Sequence, residues 1–139
     1  MPRSHTSFWV ALASLAATCA LLGAAAQSTP PAAAAKPLLT KALPDVSGKE
    51  VLMLTVEYPP GGVSPAHRHN ANTFVYVLEG SIVMAVAGGK EVTLTPGQTF
   101  YESPTDVHSV SRNASTTQGA KFLVFMVKNQ GAPATVPPQ

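Results

Sequence analysis

The stretch that decides the fold reads Gly-Gly-Val-Ser-Pro-Ala-His-Arg-His and runs from Gly61 to His69. It places His67 and His69 two positions apart. Residues at that spacing on a β-strand project to the same face, about 6.5 to 7 Å apart. Two imidazoles arranged in this way can converge on one ion at roughly 2.1 Å from each. The pair therefore indicates either a shared metal ion or two surface histidines, and the neighbouring sequence has to decide between them.

The sequence on both sides predicts short β-strands. Runs rich in Val, Leu, Thr and aromatic residues alternate with turn pairs such as Pro-Gly, Glu-Gly and Gly-Gly, and no segment favours a helix. The predicted strands cover residues 38–42, 50–58, 64–67, 73–78, 81–87, 91–95, 99–102, 107–112 and 122–127. So many short strands in one small domain indicate an all-β sandwich or barrel.

A second segment in which a glycine precedes a histidine runs from Gly97 to His108. Taken alone, His108 is better explained as a core or rim histidine that is hydrogen-bonded to a backbone group. The two segments together resemble the two sequence motifs of the cupin superfamily, G-x5-H-x-H-x3-E-x6-G and G-x5-P-x-G-x2-H-x3-N. The matching positions are Gly61, His67, His69, Gly80, Gly97 and His108. Two linked motifs in register are far more specific than either motif alone.

The resemblance covers roughly residues 38–127 and implies a cupin fold, which is a small antiparallel β-barrel of the jelly-roll type with a site in its interior. It also implies that His108 reaches the same site as His67 and His69 from another strand. The three histidines would then be ligands of one divalent transition metal. The final asparagine of the second motif falls at Arg112, with Asn113 one residue later.

The departure with the largest chemical consequence is Thr73, which stands where metal-binding cupins usually have a glutamate. A hydroxyl is a weak neutral ligand beside a carboxylate, so the site loses a negative charge. Three imidazoles then favour Fe, Zn, Ni, Cu or Mn over Mg or Ca. Glu102, six residues before His108, is a second-rank ligand candidate if the chain bends there, and it is explained equally well as a carboxylate at the rim.

Composition excludes several classes of function. The chain of 139 residues has nine Lys and Arg against seven Asp and Glu, so its charge of +2 provides no field for holding a nucleic acid. Cys19 is the only cysteine and lies in the amino-terminal segment. We therefore expect a single domain with no disulfide, no thiolate nucleophile and no Cys-ligated metal.

The ends of the chain differ from the middle. Residues 1–26 combine Arg3, an uncharged apolar run and Ala24-Ala25-Ala26, which together predict a cleaved signal peptide and export to the periplasm or the medium. The apolar run is short for a retained membrane anchor, so we expect no stable membrane span after cleavage. Residues 27–37 predict a flexible Ala/Pro leader, residues 38–128 the barrel domain, and residues 129–139 a loose tail.

Two functions of different classes remain open. The first is a dioxygenase- or isomerase-like enzyme that acts on a small organic substrate at the three-histidine metal. The second is a non-catalytic module that binds a small molecule or a metal in the same cavity. Residues 82–87 are apolar on both faces of their predicted strand, which suggests cover by a second subunit and hence a homodimer.

The signal-peptide prediction is tested by the mass of the exported protein. We expect protein recovered from the envelope or medium fraction to begin near Gln27, because signal peptidase accepts the small residues at Ala24 and Ala26. Intact-mass spectrometry measures this directly. A mass that still includes Met1 would contradict export by cleavage.

Overall fold

The computed structural model describes residues 29–138, so the predicted signal peptide lies outside the described residues. Over this range the chain is all-β, as the sequence predicts. Ten strands are present: β1 Ala34–Ala42, β2 Lys49–Tyr58, β3 Val63–Ser64, β4 His67–Arg68, β5 Ala71–Glu79, β6 Ile82–Val86, β7 Val92–Leu94, β8 Thr99–Glu102, β9 Val107–Asn113 and β10 Ala120–Asn129. The strand predicted at residues 64–67 is divided into β3 and β4 at Pro65, which has no N–H for the ladder.

The strands form two antiparallel sheets. The first sheet has the order β1-β2-β10-β5-β8, and the second has β3-β9-β6-β7 with β4 also paired to β9. Side chains alternate along β5: Val75 and Val77 are buried between the sheets, and Phe74, Tyr76 and Leu78 are exposed on the outer face. The core thus lies between the two sheets, where it forms the walls of the site.

Gly80, the last glycine of the first motif, follows β5 with a φ of 68°. A Cβ at this position would lie 2.4 Å from the carbonyl oxygen of Gly119. Both the backbone conformation and the close approach of a neighbouring turn therefore require glycine here.

The two apolar faces of β6, from which the sequence suggested a dimer contact, are explained within one chain. Both of its faces are buried within the described chain, with Ile82 and Met84 at 0% exposure and Val83 and Ala85 at 5% and 3%. β6 pairs with β7 on one side and β9 on the other, so it is an interior strand of the second sheet. Its two apolar faces therefore need no second subunit.

The predicted leader and tail are both more ordered than expected. β1 begins at Ala34, four residues before the predicted strand, because pairing with β2 satisfies its backbone even though all nine of its residues are exposed. The tail is not loose, since the N–H and carbonyl groups of Val136 each bond to the backbone of Arg68 at 2.9 Å. Sequence composition indicated flexibility but could not show these pairings.

A β-bulge in β9 changes which of its side chains face inward. Ala85 of β6 pairs with Val110, whereas the next residue, Val86, pairs with His108, so Ser109 is the extra residue. His108, Ser111 and Asn113 are all buried as a result. The bulge accounts for the asparagine that stands one residue late in the second motif: Asn113 points inward and donates to the carbonyl of Gln118 at 2.7 Å.

No helix among residues 29–138 is long and apolar enough to cross a membrane.

Candidate metal centre

Three histidines converge at one end of the space between the sheets. His67 on β4 and His108 on β9 are direct cross-strand partners, and His69 lies just beyond the end of β4. One ring nitrogen from each of the three lies within 4.8 Å of the others. His69 and His108 are buried and His67 is half-buried. The structure therefore brings together all three residues that the sequence singled out.

Two backbone carbonyls orient the first pair of imidazoles. His67 Nδ1 lies 2.7 Å from the carbonyl oxygen of Pro65, and His69 Nδ1 lies 2.7 Å from that of Ala134. A carbonyl only accepts, so each Nδ1 carries the proton and donates it. In the neutral rings both Nε2 atoms then present lone pairs, and these face each other at 3.2 Å.

The 3.2 Å separation of the Nε2 atoms is itself informative. Two lone pairs at this distance repel unless a positive charge lies between them. Two nitrogens bound to one ion at roughly 2.1 Å, with an angle of about 90° to 110° at the ion, would be about 3.0 to 3.4 Å apart. The imidazoles of His67 and His69 are therefore already spaced as ligands of a single ion.

A carboxylate reaches the cluster from the opposite sheet. Glu102 on β8 is 1% exposed, and its Oε2 lies 3.3 Å from His108 Nδ1 and 3.7 Å from His69 Nε2. Its cross-strand partner on β5 is Thr73, which is fully buried. The acid absent from position 73 is therefore supplied by the residue directly across the ladder. Glu102 belongs to the cluster and not to the rim.

Several polar atoms of this cluster lack a protein partner. Thr73 Oγ1, Glu102 Oε2 and both ring nitrogens of His108 are buried without a hydrogen bond. Buried polar atoms in native proteins are normally satisfied, so unsatisfied groups gathered at one point indicate an ion or a bound molecule. The residues present fit a metal ion, because these atoms are imidazole nitrogens, a carboxylate oxygen and a hydroxyl.

Burial sets the charges of these groups. Burial, together with the neighbouring His67 and His69, lowers the pKa of His108 to about 4. Burial also lowers the pKa of His69. Burial, with a contribution from the charge of Asp106, raises the pKa of Glu102 to about 7. The imidazoles of His69 and His108 are thus held toward their neutral forms and can donate lone pairs, whereas the carboxyl group of Glu102 is close to its midpoint near pH 7.

A cavity of about 400 Å³ opens beside the cluster. Its walls are mostly apolar and include Leu54, Val75, Met84, Phe122, Val124 and Met126. Ala134 and Thr135 of the tail also line it. The volume and the apolar lining are typical of a small-molecule site.

The sequence did not indicate every group at this site. The carbonyls of Pro65 and Ala134 act through the backbone, which any residue carries, so no side-chain pattern marks them. The inward hydroxyls of Tyr58, Ser64 and Ser111 also line the cavity, and the inward position of Ser111 depends on the bulge in β9.

Comparison with known proteins identifies the family. The family model of the cupin domain matches residues 54–126, so the chain belongs to the cupin family. No curated protein matches the sequence significantly. The family match includes both histidine segments and the strands that carry them.

Solved structures share the fold. A cupin domain from Bordetella pertussis Tohama I is 20% identical with a TM-score of 0.56, and the match covers 73% of this chain and 98% of the other. The DMSP lyase DddQ from Ruegeria pomeroyi is 22% identical with a TM-score of 0.61 over 76% of this chain and 51% of the lyase. An oxalate oxidase in complex with the substrate analogue glycolate is 26% identical with a TM-score of 0.57 over 78% of this chain and 56% of the oxidase. The chain thus spans about half the length of the two enzymes.

The raised pKa of Glu102 predicts a stability effect in the metal-free protein. Glu102 has its pKa raised from 4.5 to about 7, so the stability of the wild type falls as the pH rises through this window and is lowest above it. Glu102→Gln removes this loss. We expect the variant to be more stable than the wild type at pH 8 by on the order of 2–3 kcal/mol and nearly equal to it at pH 4.5.

Urea unfolding with a chelator present, at pH 4.5, 6 and 8, measures the difference. Glu102 Oε2 lies 3.3 Å from His108 Nδ1, so the two titrations are coupled, but the pKa of His108 is about 4 and this residue is neutral at pH 6 and 8. Glu91→Gln, which alters a surface carboxylate paired with Arg112, is the matched control and should change little. A difference that does not depend on pH would contradict the assignment.

Proposed function

We propose that His67, His69, His108 and Glu102 hold one divalent transition metal, from the group Fe, Zn, Ni, Cu and Mn. The observation that carries this proposal is the gathering of unsatisfied buried nitrogen and oxygen atoms beside two Nε2 atoms already 3.2 Å apart. Three neutral imidazoles and one carboxylate suit these ions better than Mg or Ca. Thr73 stays a second-rank candidate, with a neutral hydroxyl facing the same point.

The function that the site supports best is an enzyme that transforms a small organic molecule. When bound, the ion would supply Lewis-acid or redox chemistry at the inner end of the apolar cavity. The side chains of the cavity would exclude water and hold the substrate against the cluster. An oxalate oxidase and a DMSP lyase among the structural neighbours show that this fold can carry enzymes of different reaction classes, and dioxygenase- or isomerase-like chemistry is our first candidate here.

The alternative function is a binding module without turnover. One observation favours this alternative. Among the residues that line the cavity, the only ionisable groups are those of the cluster and the phenol of Tyr58, so no separate acid or base is present for catalysis. Metal content after mild purification, followed by oxygen uptake with a panel of enols and phenols, separates the two functions. Bound metal with no turnover of any substrate would favour the binding module.

Metal binding itself is predicted to depend on each ligand. Zinc titration by calorimetry should show that His67→Ala, His69→Ala and His108→Ala each lower the affinity of the metal-free protein by more than about 100-fold. Even groups outside the ligand set typically contribute 10- to 100-fold. The variants should stay folded by circular dichroism. Equal weak binding by the wild type and all three variants would contradict the metal centre.

The role of the Glu102 carboxylate can be tested by the same zinc titration. Thr73 and Glu102 are cross-strand partners, so exchanging them keeps the composition and moves the acid to the position usual in the family. Glu102→Thr alone should lower zinc affinity at least tenfold, and adding Thr73→Glu should recover most of the loss. Glu91→Thr, at the surface, is the control. Unchanged zinc affinity in Glu102→Thr would remove Glu102 from the ligand set.

We also propose a homodimer, through the outer face of the first sheet. One row of cross-strand partners crosses all five strands and is apolar throughout. It consists of Leu39, Met53, Phe125, Phe74 and Tyr101. The rings of Phe74 and Tyr101 lie 5.2 Å apart, and both are nearly half exposed. Five strands of up to ten residues present roughly 24 by 33 Å, close to the roughly 800 Å² per partner of a standard interface.

The dimer prediction is tested by mass in solution. We expect Phe74→Asp to convert a dimer to a monomer, because it places a charge at the middle of a face that would pack against its own copy. Light scattering at micromolar concentration gives the mass. Val92→Asp, an exposed apolar position on β7, should leave the dimer intact. A wild-type protein of monomeric mass would refute the dimer.

Export remains a proposal as well, supported by the composition of residues 1–26. The near neutrality of the chain and the absence of any cysteine after Cys19 are compatible with an exported protein.

A further inference from the structure

Three hydroxyl groups form a second polar cluster in the same cavity, away from the histidines. Tyr58 Oη lies 2.7 Å from Ser64 Oγ and 2.6 Å from Ser111 Oγ. Ser64 and Ser111 are cross-strand partners on β3 and β9, and all three side chains line the cavity. We call these three residues the hydroxyl trio.

The trio lies a fixed distance from the proposed metal ligands. On β9, Ser111 is three residues beyond His108, and the bulge at Ser109 turns both side chains inward. Three residues of strand, one of them bulged, correspond to roughly 8 to 10 Å. The cavity that both polar groups line is otherwise mostly apolar, with Leu54, Val124 and Met126 among its residues.

Counting protons shows that the trio has a donor to spare. Three hydroxyls bring three protons, and the two hydrogen bonds within the trio use two of them. Burial raises the pKa of Tyr58, so its phenol keeps its proton. One O–H therefore has no acceptor inside the trio, and it lies on the wall of the cavity.

Charge decides which acceptor suits that donor. No Lys or Arg lines the cavity, and Glu102 adds a carboxylate to it. An anionic group beside the trio would thus lose its hydration without gaining a countercharge, whereas a carbonyl, hydroxyl or ether oxygen would lose little. We propose that the trio is a substrate-binding subsite for a neutral oxygen at the far end of a largely apolar molecule whose near end faces the histidines.

Binding of the near end of this molecule at the histidines rests on the proposed function. Binding of its far end rests on the hydroxyl trio alone. Two probes separate these ends: heptanohydroxamic acid and 6-oxoheptanohydroxamic acid. Both carry the same chelating head group, and they differ only in a ketone oxygen near the other end. Extended, the second probe spans roughly the distance between the two polar groups.

Calorimetry with the zinc-loaded full chain tests whether the protein binds the oxo probe more tightly than heptanohydroxamic acid. We expect the oxo probe to bind roughly five- to tenfold more tightly, the usual effect of one neutral hydrogen bond. The variant that lacks all three hydroxyls, Tyr58→Phe with Ser64→Ala and Ser111→Ala, should reduce the preference toward one, because any single substitution still leaves an O–H without an acceptor. Ser47→Ala, in an exposed loop, is the matched control and should keep the full preference.

The possible failures are distinguishable. Equal affinity for the two probes in the wild type, or a preference that survives removal of all three hydroxyls, would overturn the subsite. Binding of neither probe in a zinc-dependent manner would overturn the metal centre. In that case the ratio of the two affinities on zinc-free protein decides the subsite by itself.

Discussion

One extra residue in β9 determines which chemical groups face the interior of the barrel. Without the bulge at Ser109, the alternation of a regular strand would turn Ser111 and Asn113 outward whenever His108 faced inward. The bulge lets β9 present a metal-ligand candidate, a hydroxyl and a structural amide to the interior in succession. Asn113 then ties the strand to the loop that carries Gln118, and one member of each polar group, His108 and Ser111, lies on this strand.

Without a bound ion, the cluster of histidines and Glu102 lowers the stability of the folded protein. Desolvation pushes the pKa of Glu102 up and that of His108 down, so both groups are driven toward their neutral forms when no ion is present. The carbonyls of Pro65 and Ala134 hold two imidazoles with their lone pairs toward each other in spite of this cost. Such local frustration is typical of sites that are organised for a ligand before it arrives.

Much of the fold and part of the site could be predicted from the sequence. Alternating apolar residues and turn pairs located almost every strand, and the spacing of the histidines indicated their convergence. Glu102 was harder, because its place beside the histidines depends on the register between β5 and β8, which is a long-range pairing that local patterns do not encode. The bulge was visible only as an ambiguity between Arg112 and Asn113. The apolar faces of β6 were misleading, since burial by neighbouring strands and burial by a partner leave the same pattern.

The carboxy-terminal tail contributes to the cluster through its main chain alone. Ala134 offers a carbonyl to His69, and Val136 holds the tail in place through its own backbone groups. These bonds do not depend on the side chains at either position, so small substitutions would preserve them, whereas a deletion would shift the carbonyl away. Ala134 also lines the cavity, so a larger side chain there would narrow it. For the orientation of His69, the length of the tail therefore matters more than the identity of its residues.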